Sequence, residues 1–188
     1  MDIQLASARI LSYLYRCGVL PDTDTRIVYG AMPCLVRVTK KEETVDNRIL
    51  AAETLGYLIE VNADLQRNAT ISNHLILTVA GFLRWEPEPT SRMSGLTKLQ
   101  LASLTKRLEV EASHARDMKR AAFRVFASLG ANDEDLRKKI IDTEPLMDSL
   151  VSALDDADPD VQMSAIRCLH SLSRSVQLLR TTFQVKSL

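Results

Sequence analysis

Three histidines and three cysteines are the residues of this chain whose types could support acid–base, metal-binding or nucleophilic chemistry. They are His74, His114 and His170, and Cys17, Cys34 and Cys168. His114 follows Glu111 by three positions on one helix face, a spacing more typical of a solvated pair than of catalysis. Cys34 has no base near it in the sequence, and Cys168 precedes Leu169 in a helical pattern typical of a buried small side chain. We therefore expect no catalytic residue and no enzyme.

The acidic clusters and glycine-containing turns predict neither a metal site nor a cofactor site. The run DDADPDVQ lacks the central glycine and terminal glutamate of a calcium loop. The run SLGANDED has one glycine and three acids, which is the wrong charge for a phosphate loop. The cysteines are odd in number and form no CxxC pair, so neither a zinc site nor a disulfide framework is expected.

Arg124 and Arg167 carry a sharper binding hypothesis. They occupy the same position in two similar stretches, AAFRVFASLG and SAIRCLHSLS, so stacking would align them as a short basic strip. Because a guanidinium matches a carboxylate, the strip would hold an acidic or carboxylate-bearing protein partner. The alternative is solvated surface charge, since 24 basic and 24 acidic residues are interleaved. The same balance predicts no binding to nucleic acid or to an anionic membrane.

The elements that position these arginines form a helical repeat. Each copy has a small residue, apolar residues at +4 and +7, and the copies start at Ser7, Ala51, Ala122 and Ala165, separated by 44, 71 and 43 positions. Two of these steps match the period of armadillo and HEAT repeats, roughly 40 to 47 residues. At 100° per residue, these positions form one buried stripe, and the +2 and +6 positions lie on the opposite face. The outward positions, which we predict to bind protein, are Arg9, Tyr13, Glu53, Tyr57, Arg124, Ser128, Arg167 and Ser171.

The chain is predicted to form a single array of repeats. Its approximate units are 1–25, 26–69, 70–140 and 141–183. Further apolar segments should pack antiparallel to the repeat helices, at roughly 26–40, 71–85 and 143–154. The long step contains a Pro/Ser/Gly cluster at 86–95, which predicts a flexible inserted loop. Residues 96–129 contain neither Gly nor Pro and should form one long helix or two abutting helices.

The amino-terminal stretch is a poor signal peptide, and the longest apolar stretch is too short to span a bilayer. Widely spaced cysteines fit a reduced intracellular compartment. Apolar residues near both ends, including Ile3 and Phe183, are poor material for the polar caps of an array. We therefore interpret the chain as a segment or shortened form of a longer array.

The repeat resembles the armadillo repeat, and longer stretches resemble the armadillo repeat-containing protein 8 family. They are AAETLGYLIEVNADLQR, AAFRVFASLGANDEDLRKKI and RCLHSLSRSVQLLRTTFQ. The resemblance implies an all-α fold, a right-handed α-solenoid of armadillo-type repeats. It also implies a non-catalytic scaffold in the CTLH E3 ubiquitin ligase complex, linking the ligase core to a substrate receptor for proteasomal degradation. The partners would be scaffold and substrate-receptor subunits, in the nucleus and cytoplasm.

A free armadillo adaptor of the catenin or importin kind, which binds peptide segments of partner proteins, is the alternative function. Peptide-binding armadillo proteins often carry Asn just before the second apolar position of the last helix. Tyr57, Ser128 and Ser171 hold those positions here. The missing asparagine ladder argues against cargo binding of the nuclear-import type.

Overall fold

All regular secondary structure in the described part of the chain is helical. A computed structural model describes residues 3–71, 74–86 and 98–175. Their α-helices are α1 (Ile3–Arg16), α2 (Met32–Val38), α3 (Val45–Ile59), α4 (Ala63–Ile71), α5 (His74–Leu83), α6 (Lys98–Leu129), α7 (Glu134–Ile141), α8 (Leu146–Leu154) and α9 (Pro159–Leu172). A π-helical turn precedes α2 and a 3₁₀ turn follows α9. The all-α prediction is confirmed for these residues, while the right-handed solenoid and the unit boundaries stay predictions.

Short polar side chains cap the amino-terminal ends of four of these helices. Thr44 accepts a hydrogen bond from a backbone N–H in the first turn of α3, and Asn62 does the same for α4. Asp133 caps α7, and Asp158 caps α9 ahead of a proline in the first turn. Each cap satisfies amide groups that have no partner inside the helix, which contributes about 1 kcal/mol of stability. The polar turns between apolar segments therefore define where the repeat helices start.

The last helices of successive repeats lie side by side in chain order. Helix α3 packs between α1 and α6, and α6 also packs against α9. Helices α2, α5 and α8 lie on the other side of these repeat helices. Each packs against the repeat helix that follows it in the chain: α2 on α3, α5 on α6 and α8 on α9. Residues 96–129 were expected to be one helix or two, and α6 is a single helix from Lys98 to Leu129. Residues 87–95 of the predicted loop lie outside the described residues.

The repeat spacing identifies the core of three copies. The buried positions are Ala51, Leu55, Leu58, Leu65, Ala122, Phe126, Leu129, Leu136, Ala165 and Leu172. Leu169 is partly buried, and Leu179 lies outside the described residues. The largest side chains of this core include Phe82, Phe123 and Phe126, all almost fully buried.

In the fourth and weakest copy, the buried face is narrower than the repeat spacing predicts. Ser7 is exposed and Leu14 is 37% exposed, although both were expected to be buried. Helix α1 instead buries Leu5, Ala8, Ser12 and Tyr15. The reason is that α3 has helices on both sides, whereas within the described residues α1 packs along α3 and the α2 region on one side. A narrower buried stripe suffices for α1.

Candidate protein-binding groove

The predicted outward positions of neighbouring helices meet on one surface. The rings of Tyr13 on α1 and Tyr57 on α3 are 5.3 Å apart between centroids. The guanidinium of Arg124 on α6 lies 5.9 Å from the Tyr57 ring centroid. On the other side of α6, the Ser171 hydroxyl of α9 donates to the Ala127 carbonyl at 2.7 Å. The structure therefore places the stripe side by side across α1, α3, α6 and α9.

A glycine at each junction lets the helices approach closely. A Cβ added to Gly56 on α3 would lie 3.2 Å from Cγ of Arg124 and 3.5 Å from the α6 backbone. A Cβ added to Gly130, just after α6, would lie 3.1 Å from the Leu172 side chain of α9. Distances of this size leave little room for a methyl group without repacking. The absence of a side chain at these two positions sets the spacing of the surface.

Tyr57 is held between two guanidinium groups. Arg16 of α1 lies 4.4 Å from the Tyr57 ring centroid, on a shorter approach than that of Arg124. Arg16 also pairs with Glu60 at 3.2 Å. Cation–π contacts of this kind contribute about 0.5–1 kcal/mol each at exposed sites. They hold Tyr57 and Arg124 in defined positions at one end of the surface.

A groove of about 740 Å³ runs between α3, α6 and α9. Five of the eight predicted binding residues line it, namely Glu53, Arg124, Ser128, Arg167 and Ser171. The other three, Arg9, Tyr13 and Tyr57, lie outside the lining, on α1 and α3. Their roles in binding stay predictions.

Two of the groove residues are buried, which corrects the expectation that they face outward. Ser128 is 4% exposed and Ser171 is 8% exposed. They form the floor of the groove, because small side chains at the bottom of a furrow between helices are shielded by longer neighbours. The hydroxyl of Ser171 is already used in the bond to Ala127.

Arginines outnumber acidic residues in the lining of the groove. Four arginines line it, Arg120, Arg124, Arg167 and Arg174, together with the acidic residues Glu53, Glu60 and Asp160. Arg120 pairs with Asp117 at 2.9 Å, and Arg174 donates to the carbonyl of Ala131 at 2.6 Å. Among the residues that the structure describes, no ion pair or hydrogen bond engages the guanidinium of Arg124 or Arg167. These two groups retain donors for a ligand.

Two buried polar residues, missed from the sequence, link the repeats below this surface. Gln66 of α4 donates to the Ile59 carbonyl at 2.9 Å and accepts from Asn132 at 3.2 Å. Arg137 of α7 donates to the Gly130 carbonyl at 3.0 Å and to the Ser175 hydroxyl at 2.7 Å.

The residues of these two bridges occupy equivalent positions in successive repeats. Gln66 and Arg137 are 71 positions apart, as are the carbonyl-bearing residues Ile59 and Gly130, and Asn132 and Ser175 are 43 apart. Each bridge ties the end of one repeat helix to the next repeat. The signal was present in the sequence as polar residues at a repeat-matched position, one residue after the Leu at +14.

The residues first considered for chemistry lie apart from the groove, except His170, which lines it. His114 does not pair with Glu111, which binds Arg107 instead at 2.7 Å. The imidazole Nε2 of His114 lies 3.0 Å from Oδ1 of Asp46, a residue on α3. Trp85 packs edge-on to the same imidazole. Tertiary packing has therefore replaced the pair expected from helix spacing.

Cys168 is buried in the core, as expected, and burial strongly raises the pKa of its thiol. Cys17 is exposed and Cys34 is partly buried. Across the described ranges, His, Cys, Asp and Glu side chains form no group of three that could hold a metal ion. In the same ranges, every helix is too short or too polar to cross a bilayer.

The chain is similar to proteins named for this repeat. Armadillo repeat-containing protein 8 of Pongo abelii is 46% identical over 184 residues, covering 98% of this chain and 26% of that protein. The protein of the same name from Danio rerio is 43% identical over 183 residues, with 97% and 26% coverage. GID complex subunit 5 of Schizosaccharomyces pombe is 26% identical over 183 residues, with 95% and 23% coverage. The chain thus spans about a quarter of the length of these relatives. No family model matches it.

Proposed function

Over nearly its whole length this chain is a relative of armadillo repeat-containing protein 8, and from that relationship we propose that it is a non-catalytic protein-interaction scaffold. Its assembly is a CTLH-type E3 ubiquitin ligase, where it helps to join the ligase core to a substrate receptor. The observation that carries the proposal is the similarity across 98% of the chain. The fainter similarity to a subunit of the GID complex supports it.

The mechanism is positional. Helices α3, α6 and α9 pack side by side, and the buried bridges through Gln66 and Arg137 hold the repeats in fixed relation. In the proposed right-handed solenoid, such an array presents an extended surface instead of an enclosed pocket. Partners bound along it are held at a set distance, which raises their effective concentration for ubiquitin transfer by other subunits. The proposed sites of action are the nucleus and the cytoplasm.

Co-purification tests this proposal. The chain, carrying an affinity tag, is expressed in cells beside a tagged full-length relative and a tagged unrelated helical-repeat protein of similar size. We expect the chain and the full-length relative, but not the unrelated protein, to recover subunits of the ligase core. Recovery by the full-length relative with none by the chain would contradict the proposal.

The same experiment addresses the free adaptor of the catenin or importin kind. The observation that favours this second function is the groove, in which Arg124 and Arg167 retain donors. Recovery of proteins through a short linear segment, without ligase subunits, would favour the adaptor. Because Ser128 and Ser171 are floor residues, an adaptor would bind through the arginines instead of an asparagine ladder.

A further inference from the structure

A second cavity lies apart from the groove. Its volume is about 1350 Å³, and it is bordered by α5, the amino-terminal half of α6 and the turn that leads into α3. One face of α5 supplies Leu77 and Gly81, and one face of α6 supplies Lys106 and Val110. Arg48, in the first turn of α3, also lines the cavity. Within the described residues, the cavity and the groove have no lining residue in common.

Arg48 is a buried cation with hydrogen-bond donors left over. The residue is 7% exposed, and its Nε donates to the Thr39 carbonyl at 3.3 Å. The guanidinium lies 4.8 Å from the Phe82 ring centroid. No further hydrogen bond or ion pair within the described residues engages its two Nη groups, which leaves four N–H donors for a ligand. Burial lowers the pKa of this guanidinium, and a poorly hydrated cation gains more from a bound anion than an exposed one does.

Positive charge exceeds negative charge in the lining of this cavity. Besides Arg48, the lining cations that have no ion pair within the described residues are Lys40, Lys41, Arg84 and Lys106. Two of the lining acids are already paired. Glu111 binds Arg107 at 2.7 Å, and Glu43 lies 3.8 Å from Arg37. The lining acids without an ion pair in the described ranges are Glu42 and Glu86. The remaining balance favours an anion with more than one negative charge.

Apolar side chains form another part of the same lining. Leu77 of α5 is 67% exposed and Val110 of α6 is 47% exposed, and both line the cavity together with Trp85. An apolar group of a ligand would cover them and remove their surface from water. A bare inorganic anion would leave this part of the lining exposed. The lining therefore fits a ligand with one anionic end and one apolar end.

A phosphate monoester has both of these ends. At neutral pH it carries a charge of about −1.5 to −2 and three strong acceptor oxygens. A guanidinium binds two of these oxygens with parallel hydrogen bonds, whereas a carboxylate offers a single charge. The fourth oxygen carries the organic group, which the apolar part of the lining can cover.

We propose that this cavity binds a phosphate monoester whose organic group is apolar. Arg48 binds the phosphate with its two Nη groups, Arg84 and Lys106 add positive charge from α6 and from the end of α5, and the organic group packs on Leu77 and Val110. The ester is a free small molecule or a phosphorylated side chain of a partner protein, since both present the same chemistry. This inference goes beyond the proposed scaffold function and does not depend on it.

Isothermal titration calorimetry of the purified chain with phenyl phosphate tests the proposal. We expect saturable binding at one site. Phenol and inorganic phosphate each carry one half of the probe and should each bind about tenfold more weakly or worse. A peptide containing Leu-phosphoserine-Leu is titrated beside its unphosphorylated form. Tighter binding of the phosphopeptide than of phenyl phosphate would identify a phosphorylated side chain as the source, and the reverse order would identify a free ester.

Two glycines give a matched pair of variants that locate the site. A Cβ added to Gly81 or to Gly30 would meet no atom within 4 Å, so both positions have room for a side chain. Gly81→Glu places a carboxylate at the cavity and should weaken binding of phenyl phosphate by about tenfold or more, because like charges repel. Gly30→Glu makes the same change outside the lining and should alter affinity less than about twofold at moderate salt. Gly81→Gln separates the added charge from the added bulk.

Substitution of the cations tests their roles. Arg84→Glu/Lys106→Glu should weaken binding about tenfold or more, and Lys138→Glu/Lys139→Glu, the same change on exposed α7, less than about twofold. Arg48→Lys keeps the charge but cannot make two parallel hydrogen bonds, so the affinity should fall about fivefold. Circular dichroism checks the fold of every variant, and the Gly81 and Gly30 pair serves if Arg48→Lys unfolds.

Three results would overturn the inference: no saturable binding of either phenyl phosphate or the phosphopeptide, equal binding of phenyl phosphate and phenol, or equal losses of affinity in Gly81→Glu and Gly30→Glu. The titrations contain no ligase subunit, so their outcome is separate from that of co-purification. Ester binding by a chain that recovers no ligase core would leave this inference standing while contradicting the scaffold proposal.

Discussion

The two junctions between repeats use one geometry and different chemistry. At the α3–α6 junction, the bridge is a neutral amide pair, the buried Gln66 with the exposed Asn132. At the α6–α9 junction, the equivalent bridge is the guanidinium of Arg137 on the hydroxyl of Ser175. In both, the same side chain also satisfies a carbonyl near the end of a repeat helix. The position is therefore set by the backbone, while the residue that fills it can be neutral or charged.

This difference affects stability. Gln66 is fully buried, and Arg137 is 9% exposed although it is charged. A hydrogen bond from a charged donor contributes more than one from a neutral amide, so removal of the donor side chain costs more at the charged bridge than at the neutral one. The α6–α9 junction should be the more sensitive of the two.

The largest effect is expected for Arg137→Ala. It leaves the Gly130 carbonyl and the Ser175 hydroxyl without this donor and removes buried aliphatic packing, for a loss of about 3 kcal/mol. The matched change Gln66→Ala should cost about 2 kcal/mol for the same geometric reason without the charge. Urea unfolding followed by circular dichroism measures both. An equal or larger loss of stability for Gln66→Ala would contradict the expectation that the charged junction is the more sensitive one.

Substitution of the two junction glycines by alanine should give a smaller difference in stability between the two junctions. In Gly130→Ala the new Cβ would meet Leu172 at 3.1 Å and the Phe126 carbonyl oxygen at 3.3 Å. We expect a loss of about 1–2 kcal/mol from overpacking. In Gly56→Ala the nearest atom is the Cγ of flexible Arg124 at 3.2 Å, and alanine favours the helix by about 1 kcal/mol, so the net change should be about zero. Thermal unfolding of both variants checks the order, and a greater loss at Gly56 would contradict it.

The smallest effect concerns the equivalent helix caps Asn62 and Asp133. Asp133 caps α7 and accepts from the Arg67 guanidinium at 3.0 Å. That hydrogen bond holds the pKa of the Asp133 carboxyl below its usual value, and the Leu136 backbone N–H acts in the same direction. Asp133→Asn should keep the cap, as Asn62 does, and lose less than about 0.5 kcal/mol at pH 7 because the ion pair is partly exposed.

The pH dependence of that small loss has a defined sign. A carboxyl with a lowered pKa in the folded state adds stability above its unfolded pKa, about 3.9, and loses it as pH falls through the folded value. The difference between wild type and Asp133→Asn should therefore be constant near neutral pH and shrink below about pH 4. Unfolding measured from pH 7 to pH 3 tests this, and a difference that grows in acid would contradict it.

Much of the fold could be predicted because helix patterns are local. The spacing from Ala51, Ala122 and Ala165 identified three buried stripes, and the glycine-free stretch predicted the long helix α6. The prediction that Ser7 and Leu14 are buried was wrong, because a helix with fewer neighbours needs a narrower buried face. Periodicity states which residues share a face, but the number of packed neighbours decides how wide the buried face is.

The candidate site was predicted in its position and only partly in its form. Arg124 and Arg167 line one groove because equivalent residues of stacked helices must share a surface. Ser128 and Ser171 were placed on that surface but form its floor, since exposure depends on how close the next helix comes. The glycine-permitted approach at Gly56 that sets this closeness is a contact between residues distant in sequence.

By itself, the sequence determined the helices, the buried stripes of three repeats and the arginines that recur at one offset. These follow from hydrogen bonding and side-chain periodicity within short stretches. Only the tertiary structure decided that Tyr57 lies between two guanidinium groups, that His114 meets Asp46 instead of Glu111, and that Gln66 and Arg137 bridge the repeats. Each of these contacts depends on the distance and rotation between packed helices, which no single helix specifies.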